Sequence, residues 1–439
     1  MNRREFLGLA SAAVLAQADE KADEKADYTL RIQPVTLEFG RGKQFKTIGY
    51  NGSAPGPLLR MKEGKPVTID VFNESASAEL VHWHGLHIPP DVDGAMEEGT
   101  PMIPAKANRR YAFTPTPSGT RWYHTHTMAG RDLKKATYTG QFGFIYVEPK
   151  SEPGAYDQEI FVALKEWDPY MTTGGEGEGS MDAAYRYFSL YAGSERVRVK
   201  QGGRVMLRIL NASATVHRRI AFAGHKFRVV AMDGNAVSNP KEVGALELGP
   251  AERIDALVEM NQPGIWVLGT TADKEREAGM QLVFEYAGSS GAPRWTAPSS
   301  AAWDYTVFGG AANQVEVDGR LPLVIEKKFA GHNWVDKWEI NGKSYPKTDP
   351  LRVKAGGRYR LVFDNRSDEA HPLHLHRHTF ELVSVAGVGT SGVYKDVVVV
   401  PAKAAVEVDL VANNPGKTLF HCHQQMHMDY GFMCLMEYL

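Results

Sequence analysis

Short runs in which apolar and polar side chains alternate recur along the chain, among them Val67-Thr68-Ile69-Asp70-Val71 and Val205-Met206-Leu207-Arg208-Ile209. A period of two puts one row of side chains against a core and the other toward water, so these runs predict half-buried β-strands. No long stretch with a 3.6-residue period competes with them. Glycine and proline, 43 and 24 residues, punctuate the runs and point to an all-β protein of short strands and turns.

An internal repeat organises the strands. Arg60-x-Lys62-x-Gly64 leads to Asn73, Arg198-x-Lys200-x-Gly202 to Asn211, and Arg352-x-Lys354-x-Gly356 to Asn365, with identical internal spacing. Three copies of one unit is the simplest account. A chain of 439 residues also exceeds the size at which a single core keeps growing. The expected architecture is three Greek-key β-sandwiches over 28–150, 151–290 and 316–439, with 291–315 as a linker.

The repeat explains where the histidines stand. Ten of the fifteen fall in four clusters. Nine and eleven residues past the asparagine are His82 and His84 in the first copy and His374 and His376 in the third, whereas the second has Ile220 and Phe222. Pro415 is followed six and eight residues on by His421 and His423, and Pro117 by His124 and His126 with one residue more. At six and eight residues past Pro263 stand Gly269 and Thr271. Two matching sets of four imidazoles imply a metal cluster shared between repeats one and three, with repeat two a spacer without metal.

In a strand, His421 and His423 face one way and the Cys422 thiol the other, so one tripeptide can serve two metal sites. A Cys thiolate with two imidazoles is the ligand set of an electron-transfer copper. His371, Cys422 and His427 have Glu79, Thr125 and Gly130 as counterparts in repeat one, so that site belongs to repeat three alone.

Four motifs, His82-Trp83-His84-Gly85, Trp122-Tyr123-His124-Thr125-His126, His371-Pro372-Leu373-His374-Leu375-His376 and His421-Cys422-His423-x-x-x-His427, resemble those of three-domain bacterial multicopper oxidases of laccase-like type. The likeness runs from about Tyr28 to Leu439. It implies cupredoxin-like domains and four copper ions per chain. It further implies that His371, Cys422 and His427 bind the type 1 copper, and His82 and His374 the type 2 copper. His84, His124, His126, His376, His421 and His423 would hold the type 3 pair. Electrons from a reductant would pass along Cys422 to His421 and His423, and O₂ would be reduced to water.

This chain departs from the family at several points. The axial place of the type 1 site, ten residues after the cysteine, is Phe432, which cannot ligate copper and predicts a three-coordinate site of high potential. Met433 follows, and a one-residue shift would bring its sulfur into play. Where relatives carry a proton-supplying carboxylate stand Gln425 and Met428; Asp93 matches an acidic position that the family places near the type 2 copper, and the resemblance implies it, with Asp429, as the relay. Arg377 replaces a common glycine. Fifteen methionines form no methionine-rich insertion, and Met426, Met428, Met433 and Met436 read as core.

The resemblance therefore implies oxidation of phenols and aromatic amines, with small aromatic reductants and O₂ as partners. Cuprous-ion oxidation in copper tolerance is the alternative. A copper-binding electron carrier would have no use for eight further histidines, nor a copper nitrite reductase for paired type 3 ligands.

A net charge of −2 offers no field for nucleic acid. Two cysteines exclude a disulfide framework, and Cys434 reads as a buried small apolar residue. Arg3-Arg4-Glu5-Phe6-Leu7, an apolar run and Ala16-Gln17-Ala18 resemble a twin-arginine export signal over residues 1–18. A charged tether over 19–27 would follow, and a periplasmic or secreted protein without a stable membrane anchor is expected. The stretch 174–179 reads as a mobile surface loop, with a lid near the type 1 copper as its functional alternative. His217, His225, His332, His87 and His378 read as structural or supporting residues rather than ligands.

Overall fold

Six sheets packed in three pairs form the molecule. The computed structural model describes residues 25–39, 42–150, 155–173, 180–299, 301–313 and 315–439; the expected export signal 1–18, residues 19–24 of the expected tether and the glycine-rich stretch 174–179 lie outside them. Sheets of four and four strands lie between Tyr28 and Glu148, of six and five between Gln158 and Tyr286, and of seven and five between Gly319 and Tyr438. These are three cupredoxin-like β-sandwiches in sequence order. Val67–Asn73 is a half-buried strand with Val67, Ile69 and Val71 inside, but Val205–Ile209 is buried on both faces, Met206 and Arg208 included, because its outer face packs against neighbouring parts of the molecule.

The repeated signature has one structural meaning in all three copies. Gly64, Gly202 and Gly356 turn with φ of 75°, 77° and 81°, a conformation that only glycine adopts cheaply. Asn73, Asn211 and Asn365 are buried, and each points Oδ1 at the amide two residues on, on Ser75, Ser213 and Ser367. Each also donates Nδ2 to carbonyls of the loop that follows or of a neighbouring turn. The asparagine thus closes the corner from which the next strand, the histidine strand in copies one and three, sets out.

The cores of the second and third sandwiches run together, from Ile160 to Met436, while the first has its own around Leu30, Ile69, Trp83 and Tyr111. An aromatic seam of Trp122, Phe142, Phe144 and Trp167 joins the first to the second. The segment expected as a linker is packed: Tyr305 and Phe308 are buried in the shared core, and Gly310 bridges to Ser391. At the tether's end, Asp27 accepts from the Thr68 amide at 2.8 Å. Among the described residues no helix is long and apolar enough to cross a membrane.

In the second sandwich Ile220 pairs with Thr270, where His82 pairs with His124 in the first and His374 with His421 in the third. The residue equivalent to His421 is therefore Thr270, not Gly269; the second copy, like the first, carries one residue more after its proline. Apolar Ile220 and Phe222 fill the histidine places and enter the core.

Candidate metal centres

His371 opens the strand His371–Leu375, Cys422 ends the strand Thr418–Cys422, and His427 lies in the short helix Gln425–Asp429. The register sets Cys422 opposite Leu373, two residues from His371. Cys422 Sγ lies 3.8 Å from His371 Nδ1 and 3.5 Å from His427 Nδ1, and the two ring nitrogens are 3.2 Å apart. His427 Nε2 faces the Glu369 carboxylate at 3.2 Å, and a carboxylate only accepts, so that nitrogen carries the proton. His371 Nε2 donates to Ser367 Oγ at 2.8 Å, since that hydroxyl spends its own proton on Asn365 Oδ1. Both Nδ1 atoms are then bare lone pairs, turned toward each other and toward a sulfur. Lone pairs so placed repel unless a cation lies among them, and two imidazoles with a thiolate suit copper. Burial pushes the Cys422 thiol well up, so it is the cation's charge that would make the thiolate favourable.

Phe432 is buried with its ring centroid 5.1 Å from that of His371, and Trp338 packs on both His371 and His427 at 4.6 and 4.3 Å. Met433 does not share this pocket. Its side chain is buried elsewhere, with Ala95, Leu419 and Met428, so the one-residue shift is not realised.

On the opposite face of the tripeptide, eight imidazoles from the first and third sandwiches meet. His82 and His84 rings are 5.7 and 3.8 Å from that of His374, and His126 is 5.1 Å from His421. Six of the eight have one ring nitrogen held from outside. His376 Nδ1 donates to Asp93 Oδ2 at 2.8 Å and His82 Nδ1 to the Asp93 backbone oxygen at 2.9 Å. Asp396 accepts from His84 Nε2 through Oδ1 and from His374 Nδ1 through its backbone oxygen. His124 and His421 donate Nδ1 to the carbonyls of Thr125 and Cys422.

Most of the remaining nitrogens have no hydrogen-bond partner. His82 Nε2, His84 Nδ1, His124 Nε2, His374 Nε2 and both nitrogens of His423 are buried without a partner. His376 Nε2 and His421 Nε2, each with its proton committed on the other side, stand 3.1 Å apart. Burial, reinforced by the neighbouring imidazoles, pushes His84, His124, His126, His376, His421 and His423 well down, and holds His374 at about 3. Neutral rings, outer nitrogens fixed and inner lone pairs unpartnered, are the form in which histidine binds metal. The residues present fit copper.

Asp93 is wholly buried, with Oδ1 unpartnered beside the cluster. Glu98, absent from the sequence reading, stands next to it: Oε1 accepts from the Leu419 amide at 2.6 Å and lies 3.5 Å from His376 Nδ1. Burial and then the nearby Asp93 push its carboxyl well up. Asp429 accepts from the Ala129 and Gly130 amides and from Gln425, and burial raises it to about 7. Asp396 also escaped the sequence reading; its signal is a charged Lys395-Asp396 pair at the head of four valines.

Arg377 has φ of 58°, the left-handed conformation that Gly85 holds at the equivalent place of the first copy. Its guanidinium is fully engaged, by Ile88 O, Lys417 O, Thr418 Oγ1 and Asn414, tying first sandwich to third. His378 donates toward neither metal site; it lies 2.7 Å from the Tyr438 hydroxyl, and His87 pairs with Thr379. His225 pairs with Tyr286, and His332 is exposed beside Phe329. Trp122 stacks on His124 at 4.2 Å, and Trp83 and Tyr123 are core.

Three family models, each described as multicopper oxidase, match residues 31–152, 164–286 and 320–438. A multicopper oxidase of Mycobacterium tuberculosis is 32% identical, over 94% of this chain and 86% of that one. Among solved structures, a laccase from Botrytis aclada superposes with a TM-score of 0.79 at 20% identity, covering 94% of this chain and 87% of that one. A multicopper oxidase from Campylobacter jejuni described as a metallo-oxidase superposes with a TM-score of 0.72 at 20% identity, covering 95% and 93%.

Proposed function

Since this chain belongs to the multicopper oxidase family, we propose that it is a laccase-like enzyme that removes single electrons from phenols and aromatic amines and reduces O₂ to water. The observation that carries the reading is the convergence of buried metal-binding atoms in two places joined by one tripeptide, a site of one thiol and two imidazoles and an eight-imidazole site with unpartnered ring nitrogens. His371, Cys422 and His427 would hold the type 1 copper. His82 and His374 would hold the type 2 ion, and His84, His124, His126, His376, His421 and His423 the type 3 pair, four ions in all. Bound copper supplies one-electron oxidation at the thiolate site and four-electron O₂ reduction at the cluster.

The chain's own residues do the rest. Of the three type 1 ligands only His427 has any exposure, at 7%, so a reductant meets that ring, with Glu369 fixing its tautomer. Cys422 is bonded through the backbone to His421 and His423, a covalent path from one site to the other. Phe432 and Trp338 stack on each other beside His371 and would keep water from that side of a bound ion. Asp93, its Oδ2 engaged by His376 and its Oδ1 unpartnered, is the residue placed to hold and pass a proton, with Asp429 further out. Asp93→Asn with unchanged turnover and full copper content would sink that role. Export as a periplasmic or secreted protein is the location this chemistry suits.

The phenol reading is supported by the burial of Met426, Met428, Met433 and Met436, which serve packing rather than thioether ligation. A cuprous-ion reading is favoured by a different observation: Met171 and Met181 pack, partly buried, against the apolar cluster that contains Met426, and Asp182 follows Met181 in the chain. Oxygen uptake by copper-loaded protein with a methoxyphenol and with Cu(I) separates them. Faster phenol turnover, with water and no peroxide as product, is expected; a strong preference for Cu(I) reassigns the enzyme to copper detoxification.

A further inference from the structure

The second sandwich contributes no cluster histidine, yet one of its side chains reaches the cluster's support. Arg253, on the strand Arg253–Glu259, puts Nη1 on Asp396 Oδ1 and Nη2 on Asp396 Oδ2, each at 2.6 Å. Asp396 in turn holds His84 Nε2 at 3.1 Å and His374 Nδ1 at 2.8 Å. The clamp therefore grips one imidazole from each metal-bearing sandwich.

Its surroundings are charge-balanced and buried. Arg121 of the first sandwich lies 3.3 Å from Asp396 Oδ2. Asp233 Oδ2 accepts from the amides of Asp396 and Val397 and pairs ionically with Lys395 Nζ at 2.9 Å, which also lies 3.0 Å from Glu252. Three cations thus face three carboxylates. Burial opposes charge on Asp396, but the Arg253 guanidinium outweighs it and holds the carboxyl at about 2. Gly85, next to His84, leaves the room required: a β-carbon there would stand 2.6 Å from Asp396 Oδ2 and 2.8 Å from Arg253 Nη2.

We propose that Arg253 is a positioning residue for the three-copper cluster, which fixes Asp396 and through it the rings of His84 and His374. The metal-free sandwich thereby sets the geometry of the type 2 site and of one type 3 ligand; this rests on the ligand assignment proposed above. A planar guanidinium holds both carboxylate oxygens at once, which an ammonium cannot. Partners that orient metal-binding imidazoles change metal affinity by roughly 10- to 100-fold.

The test compares copper-loaded wild type, Arg253→Lys and Arg208→Lys. Arg208 is a buried arginine of the same sandwich, bonded to Asp255 and Glu159 and stacked on Tyr146, without a contact to Asp396 or a cluster histidine. The readouts are copper retained against a graded chelator, the hyperfine splitting of the type 2 ion by electron paramagnetic resonance, and the thiolate-to-copper visible band. Arg253→Lys is expected to keep the visible band, to lose cluster copper at roughly 10- to 100-fold lower chelator concentration, and to shift the splitting. Arg208→Lys is expected to lower the melting temperature and leave copper untouched. An Arg253→Lys protein with wild-type retention and splitting overturns the proposal, as does the same copper loss in Arg208→Lys. If Arg253→Lys does not fold, Gly85→Ala, which crowds the clamp from the first sandwich, must show the shifted splitting, and wild-type splitting there overturns the proposal. Wild type that loads only the thiolate copper overturns the ligand assignment itself, which distinguishes that failure from this one.

Discussion

At equivalent points of one register the first and third sandwiches carry opposite chemistry. In the third, Cys422 stands opposite Leu373 and faces His371; in the first, Thr125 stands opposite Val81 and faces Glu79. Thr125 Oγ1 donates to Glu79 Oε2 at 3.2 Å and Gln141 Nε2 donates to the same oxygen at 3.0 Å. One place turns two bare imidazole lone pairs toward a buried thiol, and the other is a hydrogen-bond group that satisfies itself. The strands are the same; a few side chains decide whether a cation is required.

The comparison breaks most completely at the sulfur. Cys422→Thr, which copies the first sandwich into the third, is expected to abolish the visible band. It should cut oxidation of external phenols by more than the roughly 100-fold that loss of a ligand's support costs, while copper analysis still finds the cluster ions. From the other side, Glu79→Ala strands two buried donors and is expected to lower stability by about 1–3 kcal/mol in chemical denaturation, with copper content unchanged. An equal loss of copper would mean that the first sandwich's polar group also supports the cluster.

Two changes sharpen the contrast. Phe432→Met offers the type 1 site a thioether on its apolar side and is expected to lower its potential by about 59 mV or more, a tenfold change for a one-electron couple, in a redox titration. The smallest effect concerns pH. Burial raises the Glu79 carboxyl above its ordinary 4.5 despite its hydrogen bonds. A raised folded value means that its contribution is fully present below the unfolded value and is lost as pH rises through the folded one. Glu79→Gln removes this dependence. Its melting temperature relative to wild type is expected to rise as pH climbs above 4.5 and to level off once pH passes the raised folded value; a flat difference would show that Glu79 is charged at no cost in the fold.

The sites were legible unevenly. The histidine sets stood out because a repeated strand register repeats its positions, so His82 and His84 could be matched to His374 and His376 from the asparagine alone. The polar residues that hold those rings carry no such period. Asp396 and Glu98 are bonded across 312 and 321 residues, to His84 and to the Leu419 amide. Trp338 reaches His371 and His427 from a strand in the opposite sheet. The second copy's prolines misled by one position because an inserted residue in a turn leaves the strand pairing, not the count, in control.

By itself the sequence determined the three-fold β-sandwich plan, the division of histidines between copies one and three, and the place of the single thiolate, because each follows from a local period of two and a repeat that carries it. The tertiary structure alone decided which nitrogen of six of the eight cluster rings is held from outside, that Met433 is buried away from the Cys422 pocket, and that Arg253 of the second sandwich clamps Asp396. Those outcomes depend on protons and charges contributed by segments hundreds of residues apart. Only burial in one low-dielectric junction makes their pairing obligatory.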